Sequence, residues 1–184
     1  MIDENNSNIF DYWGLLEALN KSQAVVEFDR DGDILNVNEN FLTLSGYKRE
    51  EIKGRHHSIF VTEKDKDSES YKEFWDDLRK GVFQSGEFKC LSKSGNEIWL
   101  QATYNPIYDK NNEVVKVVKL ATDISARKKV YHKHLQDLKR LDIATEAGEV
   151  GLWDWDLRTD EVNFSKIWMG LLGYEHYELP HKER

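Results

Sequence analysis

The stretch AVVEFDRDGDILNVNENFLTLSGY, residues 24–47, decides how the whole chain is interpreted. Two apolar segments, Ala24–Phe28 and Ile34–Val37, flank the turn-forming run Asp29–Gly32, and this order predicts a β-hairpin. Asn38 follows the second strand at a position where its side chain can cap the next helix. The stretch therefore predicts a compact strand–turn–strand–helix unit.

Much of this stretch recurs near the C-terminus. A displacement of 127 positions aligns the following residues without a gap: Phe28 with Trp155, Asp29 with Asp156, Asp33 with Asp160, Phe41 with Trp168, Leu44 with Leu171, Gly46 with Gly173, and Tyr47 with Tyr174. Such a repeat predicts two copies of one structural unit. About 80 residues follow the first copy and ten follow the second. The chain is therefore expected to hold one whole domain, a connector, and the opening of a second domain.

The composition narrows the possible classes of function. A hydrophobic content of 39% and six tryptophans predict a packed core and argue against disorder. The net charge of −8, with no basic stripe, argues against a nucleic-acid partner. No apolar run approaches the roughly 20 residues of a membrane span, and the N-terminus does not resemble a signal peptide. We therefore expect a cytoplasmic location without direct membrane insertion.

Helical and strand periods alternate along the rest of the chain. Ile9–Asn20 predicts a short amphipathic helix, and a second helix is predicted from the capping-box pair Ser70 and Glu73. The charged run Thr62–Glu69 is interpreted as a loop. Three strands are predicted at 83–91, 97–107 and 114–123. This order of elements predicts an α+β domain with one sheet.

The order and local motifs together resemble the PAS family of sensory domains, as found in bacterial chemoreceptors, aerotaxis sensors and histidine kinases. The residues that carry the resemblance are DRDGDILNVNENFLTLSGY (29–47), EEIKGR (50–55), FWDDLRKG (74–81) and YNPIYDKNNEVVKVVKLATDIS (104–125). The similarity covers residues 22–125, and residues 148–184 resemble the truncated start of another PAS domain. Residues 1–21 would then form an N-terminal helix, and 126–147 a linker or signal helix.

The resemblance implies a PAS fold, in which a five-stranded antiparallel sheet of order 2-1-5-4-3 carries short helices on one face. It also implies a sensor that detects a small ligand or a redox state. The change would pass through Thr122 and Asp123 into the helix that follows, and from there to a downstream signalling module outside this chain. The family further implies a homodimer formed through the N-terminal helix and the sheet face.

Enzymatic activity is not expected of this chain. Its acidic residues fall in turns and on helix exteriors, as solvated charges do. The sequence has no phosphate-cradling glycine loop, no nucleophile with a partner, and no metal-ligand cluster. No catalytic residue and no metal ligand is therefore predicted.

Two flavin chemistries can be compared with the residues present. A cysteine-adduct FMN photoreceptor needs a cysteine after the Gly54-Arg55 pair, where this chain has histidines, and Cys90 lies on a predicted strand. That chemistry is excluded. Redox-sensing FAD proteins of the family carry an asparagine and a tryptophan at the positions of Asn38 and Trp75. Both residues also have structural explanations, because Asn38 suits a helix cap and Trp75 an apolar helix face.

Haem is the other coloured cofactor that the residues could support. His56 or His57 could bring a neutral imidazole to an iron. Adjacent residues on a helix point about 100° apart, so at most one of the two can face the pocket. A histidine in such a position is also common as an ordinary polar core residue.

The remaining alternative is a colourless small ligand, or none. Pocket walls are predicted from Phe41 and Phe60, together with Ile34, Val37, Ile52, Trp75, Leu78 and the inward residues of the last strands. A largely apolar cavity with a few polar groups suits a small organic ligand, and the same residues could also fill the core themselves. The sequence favours this alternative over FAD and haem. It leaves open a ligand sensor and a ligand-free module for dimerisation or protein interaction.

Overall fold

The computed structural model describes residues 4–174, with side chains from Trp13 onward. It divides after Lys128 into two compact units, each considered by itself. The first contains the helices α1 (Glu4–Ser22), α2 (Glu39–Ser45), α3 (Arg49–Ile52), α4 (Glu63–Lys66) and α5 (Glu69–Arg79), and a 3₁₀ turn (His57–Phe60). Its strands are β1 (Ala24–Asp29), β2 (Ile34–Val37), β3 (Gln84–Leu91), β4 (Glu97–Tyr108) and β5 (Val114–Asp123). The long helix α6 (Ser125–Ala147) crosses the division between the units.

The strands of the first unit form one antiparallel sheet with the order β2-β1-β5-β4-β3. The predicted α+β fold and its strand order are confirmed. Burial alternates along the two longest strands, so that Leu100, Ala102 and Tyr104 of β4 face the core while Gln101 faces solvent. This alternation places a single apolar face of the sheet against the short helices.

The predicted hairpin forms as the sequence indicates. The carboxylate of Asp29 accepts hydrogen bonds from the backbone N–H groups of Asp31 and Asp33, both at 2.9 Å. Gly32 completes the turn with a φ of 98°, in the left-handed region that glycine adopts easily. Helix α2 then ends at Gly46, which has a φ of 74° and donates its N–H to the Leu42 carbonyl.

Two expectations for the segment before the third strand are wrong. The run interpreted as a loop contains the short helix α4, because Thr62 accepts a hydrogen bond from the Asp65 N–H and so caps a helical turn. The capping box at Ser70 and Glu73 does not form. Helix α5 begins earlier, because the Ser68 hydroxyl accepts from the Tyr71 N–H and caps its first turn. The predicted N-terminal helix is present and is longer than the interval Ile9–Asn20.

The core lies between the sheet and the helices α2, α3 and α5 together with the 3₁₀ turn. Its buried hydrophobic residues are Ala24, Val26, Phe28, Ile34, Val37, Phe41, Ile52, Phe60, Trp75, Leu78, Cys90, Ile98, Leu100, Ala102, Tyr104, Val117 and Ala121. Aromatic edge-to-face contacts connect many of them, such as Phe41 with Phe60 at 5.1 Å and Phe28 with Trp75 at 5.7 Å. All seven residues predicted by name as pocket walls belong to this core.

The second unit contains the strands β6 (Trp153–Asp156) and β7 (Glu161–Phe164), which form an antiparallel hairpin, and helix α7 (Lys166–Leu171). Ser165 caps α7 by accepting a hydrogen bond from the Trp168 N–H. The strand–turn–strand–helix order matches the repeat found in the sequence. The part of the predicted second domain after Tyr174 lies outside the described residues. Within residues 4–174, no helix combines the length and the apolar character needed to cross a bilayer.

Candidate functional site

A cavity of about 250 Å³ opens beside the aromatic core of the first unit. Its walls come from the 3₁₀ turn, from α4, α5 and the segment between them, and from β3 and β4. The lining residues are His57, Val61, Asp65, Ser68, Ser70, Tyr71, Phe74, Phe88, Lys89, Cys90 and Tyr104. Most of the lining surface is apolar although many of these residues are polar, because the aromatic rings contribute much of it; Asp65, Ser70 and Lys89 are exposed, whereas His57 is buried.

A chain of three polar side chains closes the inner end of this cavity. His57 lies in the 3₁₀ turn with its side chain buried, because aromatic rings pack around its imidazole. Its Nδ1 lies 2.9 Å from the Tyr71 hydroxyl on α5, and its Nε2 lies 3.1 Å from the Tyr104 hydroxyl on β4. Both ring nitrogens of His57 are therefore engaged by tyrosine hydroxyls.

Burial keeps all three of these groups in their neutral forms at physiological pH. It lowers the pKa of His57 well below 6.5, with repulsion from Lys119 and His56 adding to the effect. Burial also raises the pKa of Tyr71 to about 12. The pKa of Tyr104 is raised well above 10.0 for the same reason. The chain is thus a neutral hydrogen-bond network in an apolar environment.

A buried amine lies behind the cavity wall. Lys119 on β5 has no exposed surface, and its Nζ lies 3.8 Å from the Cys90 Sγ and 4.9 Å from the centre of the Tyr104 ring. No carboxylate among the described residues pairs with it. Burial lowers the pKa of Lys119 from its ordinary value of 10.5, and the neighbouring Cys90 thiol opposes part of that shift. The sheet therefore holds an amine that is costly to bury inside its apolar face.

Trp75 lies under the first hairpin turn. A Cβ atom added at Gly32 would lie 2.7 Å from the His56 Nε2 and 2.9 Å from the Trp75 ring, so glycine is needed there for space as well as for its φ angle. The Trp75 indole N–H is buried and makes no hydrogen bond of normal geometry within the described residues. His56 is fixed at the turn, because its Nδ1 accepts from the Ser58 N–H and its Nε2 lies 3.1 Å from the Asp31 carbonyl.

The predicted site residues fall into two groups. Phe41, Phe60 and Trp75 come together around His57, with ring centres 5.1 Å apart for Phe41 and Phe60 and 5.5 Å apart for His57 and Trp75. Asn38 lies apart from this cluster.

The polar atoms of Asn38 have structural partners. Its Oδ1 accepts from the N–H groups of Val25 and Phe41, at 2.9 and 3.1 Å. Its Nδ2 donates to the carbonyls of Gln23 and Asn20, at 2.8 and 3.2 Å. The predicted cap is confirmed, and the same side chain ties α2 to β1 and to the end of α1.

The arrangement does not fit the two coloured cofactors considered above. Haem needs a free imidazole nitrogen, and all four ring nitrogens of His56 and His57 have hydrogen-bonding partners. Neither Asn38 nor Trp75 lines the cavity, so the pair that would mark an FAD site is not brought to one ligand. Among the described residues, no cluster of three or more histidine, cysteine or acidic side chains could hold a metal ion.

Helix α6 starts at a junction with the sheet. The Asp123 carboxylate accepts a hydrogen bond from the Ser125 N–H at 2.8 Å, and the Ser125 hydroxyl accepts from the Trp99 N–H at 2.9 Å. Lys128 stacks over the Trp99 ring at 4.8 Å and forms an ion pair with Glu87 of β3. Arg127 reaches Glu87 as well, at 2.9 Å. The first turns of α6 are therefore held by β3 and β4.

The other predicted relay residue, Thr122, lies on the exposed side of β5 opposite Gln101. Asp123 is also exposed, and its contact is with the backbone of the helix start. The contacts with β3, through Glu87, were not predicted from the sequence.

Comparison with known proteins agrees with this geometry. Residues 22–126, more than half of the chain, match the PAS domain family. The chain belongs to the PAS domain family. A solved PAS domain of a protein from Colwellia psychrerythraea superposes with a TM-score of 0.56 at 24% sequence identity, over 62% of this chain and 98% of that one. This structural similarity supports the fold.

Two curated PAS relatives are longer signalling proteins. The biofilm dispersion protein BdlA of Pseudomonas aeruginosa is 38% identical over 164 residues, which is 89% of this chain and 38% of BdlA. The aerotaxis receptor of Escherichia coli is 27% identical over 120 residues, 65% of this chain and 22% of the receptor. This chain therefore spans well under half the length of these relatives. Similarity to several signalling proteins is consistent with a sensory role for the PAS unit.

Sequence reasoning did not name three polar residues of the site. Lys119 could have been identified, because it lies in phase with Val117 and Ala121, which are both buried in the same strand. Tyr104 is likewise in phase with the inward residues of β4. Tyr71 lies on α5 beside Phe74 and Trp75, and its hydrogen bond to His57 depends on a contact 14 residues away. Such pairing has no local sequence signal.

Proposed function

We propose that this PAS unit is the sensory part of a bacterial signal-transduction protein. A small molecule would enter the cavity between α5, the 3₁₀ turn and β3–β4, and its binding would be transmitted into α6. From α6 the change would reach a signalling module outside the present chain. The observation that carries the proposal is the position of β3, which contacts both the cavity and the start of α6.

The two faces of β3 connect these regions. Phe88 and Cys90 line the cavity on the inner face, and Glu87 on the outer face holds Arg127 and Lys128 of α6. Because side chains alternate along a strand, a ligand that shifts Phe88 shifts the backbone that carries Glu87. The route runs from the cavity wall through one peptide unit to the helix start. It adds Glu87 to the Asp123 route that the sequence predicts.

The matched pair Phe88→Ala and Val61→Ala tests the proposal. Both residues line the cavity, but only Phe88 lies on β3. In Phe88→Ala, β3 should hold the start of α6 less firmly, so hydrogen exchange of amides 125–131 should become faster. The β1 amides report on general destabilisation, and the acceleration at 125–131 should exceed theirs by about fivefold. Val61→Ala should change the two sets of amides equally. Equal changes in both variants would show that β3 does not relay the state of the cavity.

We propose a colourless small ligand in preference to FAD or haem. The occupied histidine nitrogens and the separation of Asn38 from the cavity support this choice. So does the volume of the cavity, which lies just below the roughly 300–1,000 Å³ of typical ligand pockets. Absorption spectra of the purified protein provide the test. A flavin spectrum or a Soret band that persists through gel filtration would contradict the proposal.

A second candidate function is dimerisation, with or without a ligand. Large apolar side chains are exposed on α1, where Trp13 is 67% exposed, and on the outer sheet face, where Val115 is 45% exposed. A second copy of the chain that covered both surfaces would remove this apolar area from water. Sedimentation of the double variant Trp13→Glu/Val115→Glu should show a monomer under conditions where the wild-type protein is a dimer. A dimer that persists in this variant would place the interface elsewhere.

A further inference from the structure

The hydrogen-bond count at the inner end of the cavity indicates the chemistry of the ligand, an inference that rests on the proposed sensory function. Two tyrosine hydroxyls and a neutral imidazole carry three polar protons between them. The contacts of His57 with Tyr71 and Tyr104 use two of these protons. In either tautomer of His57, one hydroxyl proton is left without an acceptor among the described residues.

The spare proton belongs on Tyr71. Tyr104 borders the cavity but is only 1% exposed, so an unpaired O–H there would be a nearly inaccessible, unsatisfied donor. If Tyr104 donates to the His57 Nε2, the Nδ1–H donates to the Tyr71 oxygen, and the Tyr71 proton is free. Tyr71 is only partly buried and lines the cavity, where a ligand can reach its hydroxyl.

The nearby indole of Trp75 supports the same conclusion. Its buried N–H makes no hydrogen bond of normal geometry among residues 13–174 and has only a weak interaction with the Tyr71 hydroxyl. Donors therefore outnumber acceptors around this end of the core. A ligand that brought another donor would increase the imbalance, whereas a ligand that brings an acceptor reduces it.

The walls and rim of the cavity indicate the shape, net charge and size of the ligand. The rings of Phe74 and Phe88 meet edge to face at 5.8 Å along one side of the cavity, a surface that suits a planar ring. The charged residues at the rim, Asp65 and Lys89, have opposite signs, so the entrance does not select a net charge. A cavity of about 250 Å³ has room for a single ring with a short substituent.

We propose that the cavity binds a small, uncharged aromatic molecule bearing a carbonyl group, such as an aromatic ketone or aldehyde. The carbonyl oxygen accepts a hydrogen bond from the Tyr71 hydroxyl, and the ring packs against Phe74 and Phe88. The His57 imidazole holds the Tyr71 oxygen in place from the other side. No covalent step is involved.

Ligand-observed NMR titrations with two probes of similar shape test this assignment. Acetophenone carries the carbonyl acceptor, and ethylbenzene has the same ring without it. For the wild-type protein we expect acetophenone to bind about tenfold more tightly than ethylbenzene, the effect of one well-formed hydrogen bond. Benzoate, which is anionic, should bind more weakly than acetophenone.

Three variants test whether the preference for acetophenone over ethylbenzene depends on the Tyr71 hydroxyl. Tyr71→Phe should reduce the affinity ratio of acetophenone to ethylbenzene to about one, while ethylbenzene binds within about twofold of its wild-type affinity. Tyr47→Phe, a half-buried tyrosine outside the cavity lining, should leave the ratio at its wild-type value. Phe88→Ala should weaken both probes by a similar factor and keep the ratio, which provides a second test if Tyr71→Phe does not fold.

The outcomes separate the ligand from the function. The assignment is overturned if the wild-type ratio is about one, if it survives Tyr71→Phe, if benzoate binds more tightly than acetophenone, or if neither neutral probe binds. If acetophenone binds with the expected ratio but leaves exchange at amides 125–131 unchanged, the ligand assignment holds and the sensory relay fails. If the Phe88→Ala relay effect appears without the ratio, the relay holds and the ligand class is wrong.

Discussion

The two hairpin–helix copies of this chain have the same backbone connections but very different surroundings. In the first copy, Asn38 accepts hydrogen bonds from the N–H groups of Val25 and Phe41. In the second copy, Ser165 accepts from the N–H groups of Leu152 and Trp168, residues displaced by the same 127 positions. One side chain thus connects the start of the hairpin to the helix in each copy, with an amide or a hydroxyl oxygen as the acceptor.

Burial separates the two copies. Phe28 has no exposed surface, whereas its counterpart Trp155 is 45% exposed. Strand β1 pairs with β5 as well as β2, and its sheet continues into β4 and β3. The sheet in the described part of the second unit has only the two strands of the hairpin. The comparison teaches that cap, turn and register are encoded locally, while burial depends on strands that are distant in the sequence.

The largest expected difference between the copies is in core truncation. Phe28→Ala should destabilise the first unit by about 3–5 kcal/mol, because it removes a fully buried ring that contacts Trp75, His57 and Tyr104. Trp155→Ala should cost less than about 1 kcal/mol in the second unit, since much of its ring stays in water. Hydrogen exchange of peptides 24–29 and 153–156 during urea titration measures the two effects separately. Equal costs would contradict the difference in burial.

Removing the helix cap should cause a smaller difference in stability between the two copies than truncating the core does. Asn38→Ala removes an acceptor and a donor, leaving four backbone groups with one partner fewer, so it should cost about 2–3 kcal/mol. Ser165→Ala should cost about 1 kcal/mol, because the hydroxyl contacts two backbone N–H groups. The same exchange experiment reports both values. Asn38→Ser is the matched control. A serine hydroxyl can accept the hydrogen bonds from Val25 and Phe41 but cannot replace the two bonds that the amide donates, so this variant should recover about half of the stability lost in Asn38→Ala.

The smallest predicted effect concerns Lys119, a buried amine in the first core. Lys119→Met should stabilise the first unit by about 1 kcal/mol at neutral pH, because it removes an ionisable group from an apolar site. The native pKa is lowered below 10.5, so the unfolded state binds more protons between these two values. The stability of the wild-type protein should therefore rise with pH through that window, relative to the variant.

Urea denaturation of the wild-type protein and of Lys119→Met at several pH values tests this dependence. The buried tyrosines are present in both proteins, so the difference between the two free energies of unfolding reports on Lys119 alone. Lys116→Met on the same strand is the control, because Lys116 is partly exposed and paired with Glu27 at 2.6 Å. That variant should lose no more than about 1 kcal/mol and show no such rise. A wild-type curve parallel to that of Lys119→Met would mean that the native amine is not desolvated.

Much of the fold was predictable because its signals are local. The Asp29–Gly32 turn and the Asn38 cap each depend on neighbouring residues, and both predictions are confirmed. The start of α5 was mispredicted because Ser68 and Ser70 both suit a cap. The choice of Ser68 followed from helix α4 directly before it, which the charged sequence does not reveal.

The site was less predictable than the fold. His57 and the aromatic walls could be placed near a pocket from their positions along the chain. The pairing of His57 with Tyr104, 47 residues away, requires the complete sheet. Asn38 shows the opposite difficulty, because a residue type that suits both a cap and a ligand contact cannot be assigned from its position alone. In the structure its polar atoms bond to the backbone of α1, β1 and α2.

The exposure of α6 has a consequence for how the protein responds to its own abundance. Large apolar side chains along this helix, including Val130, Tyr131, Leu138 and Leu141, are exposed, and none of its side chains is buried. If a second copy covers them in addition to the α1 and sheet surfaces of the dimer proposed above, helix order and chain association are linked by mass action. The fraction of ordered α6 would then rise with protein concentration, so that expression level and ligand would set the output together.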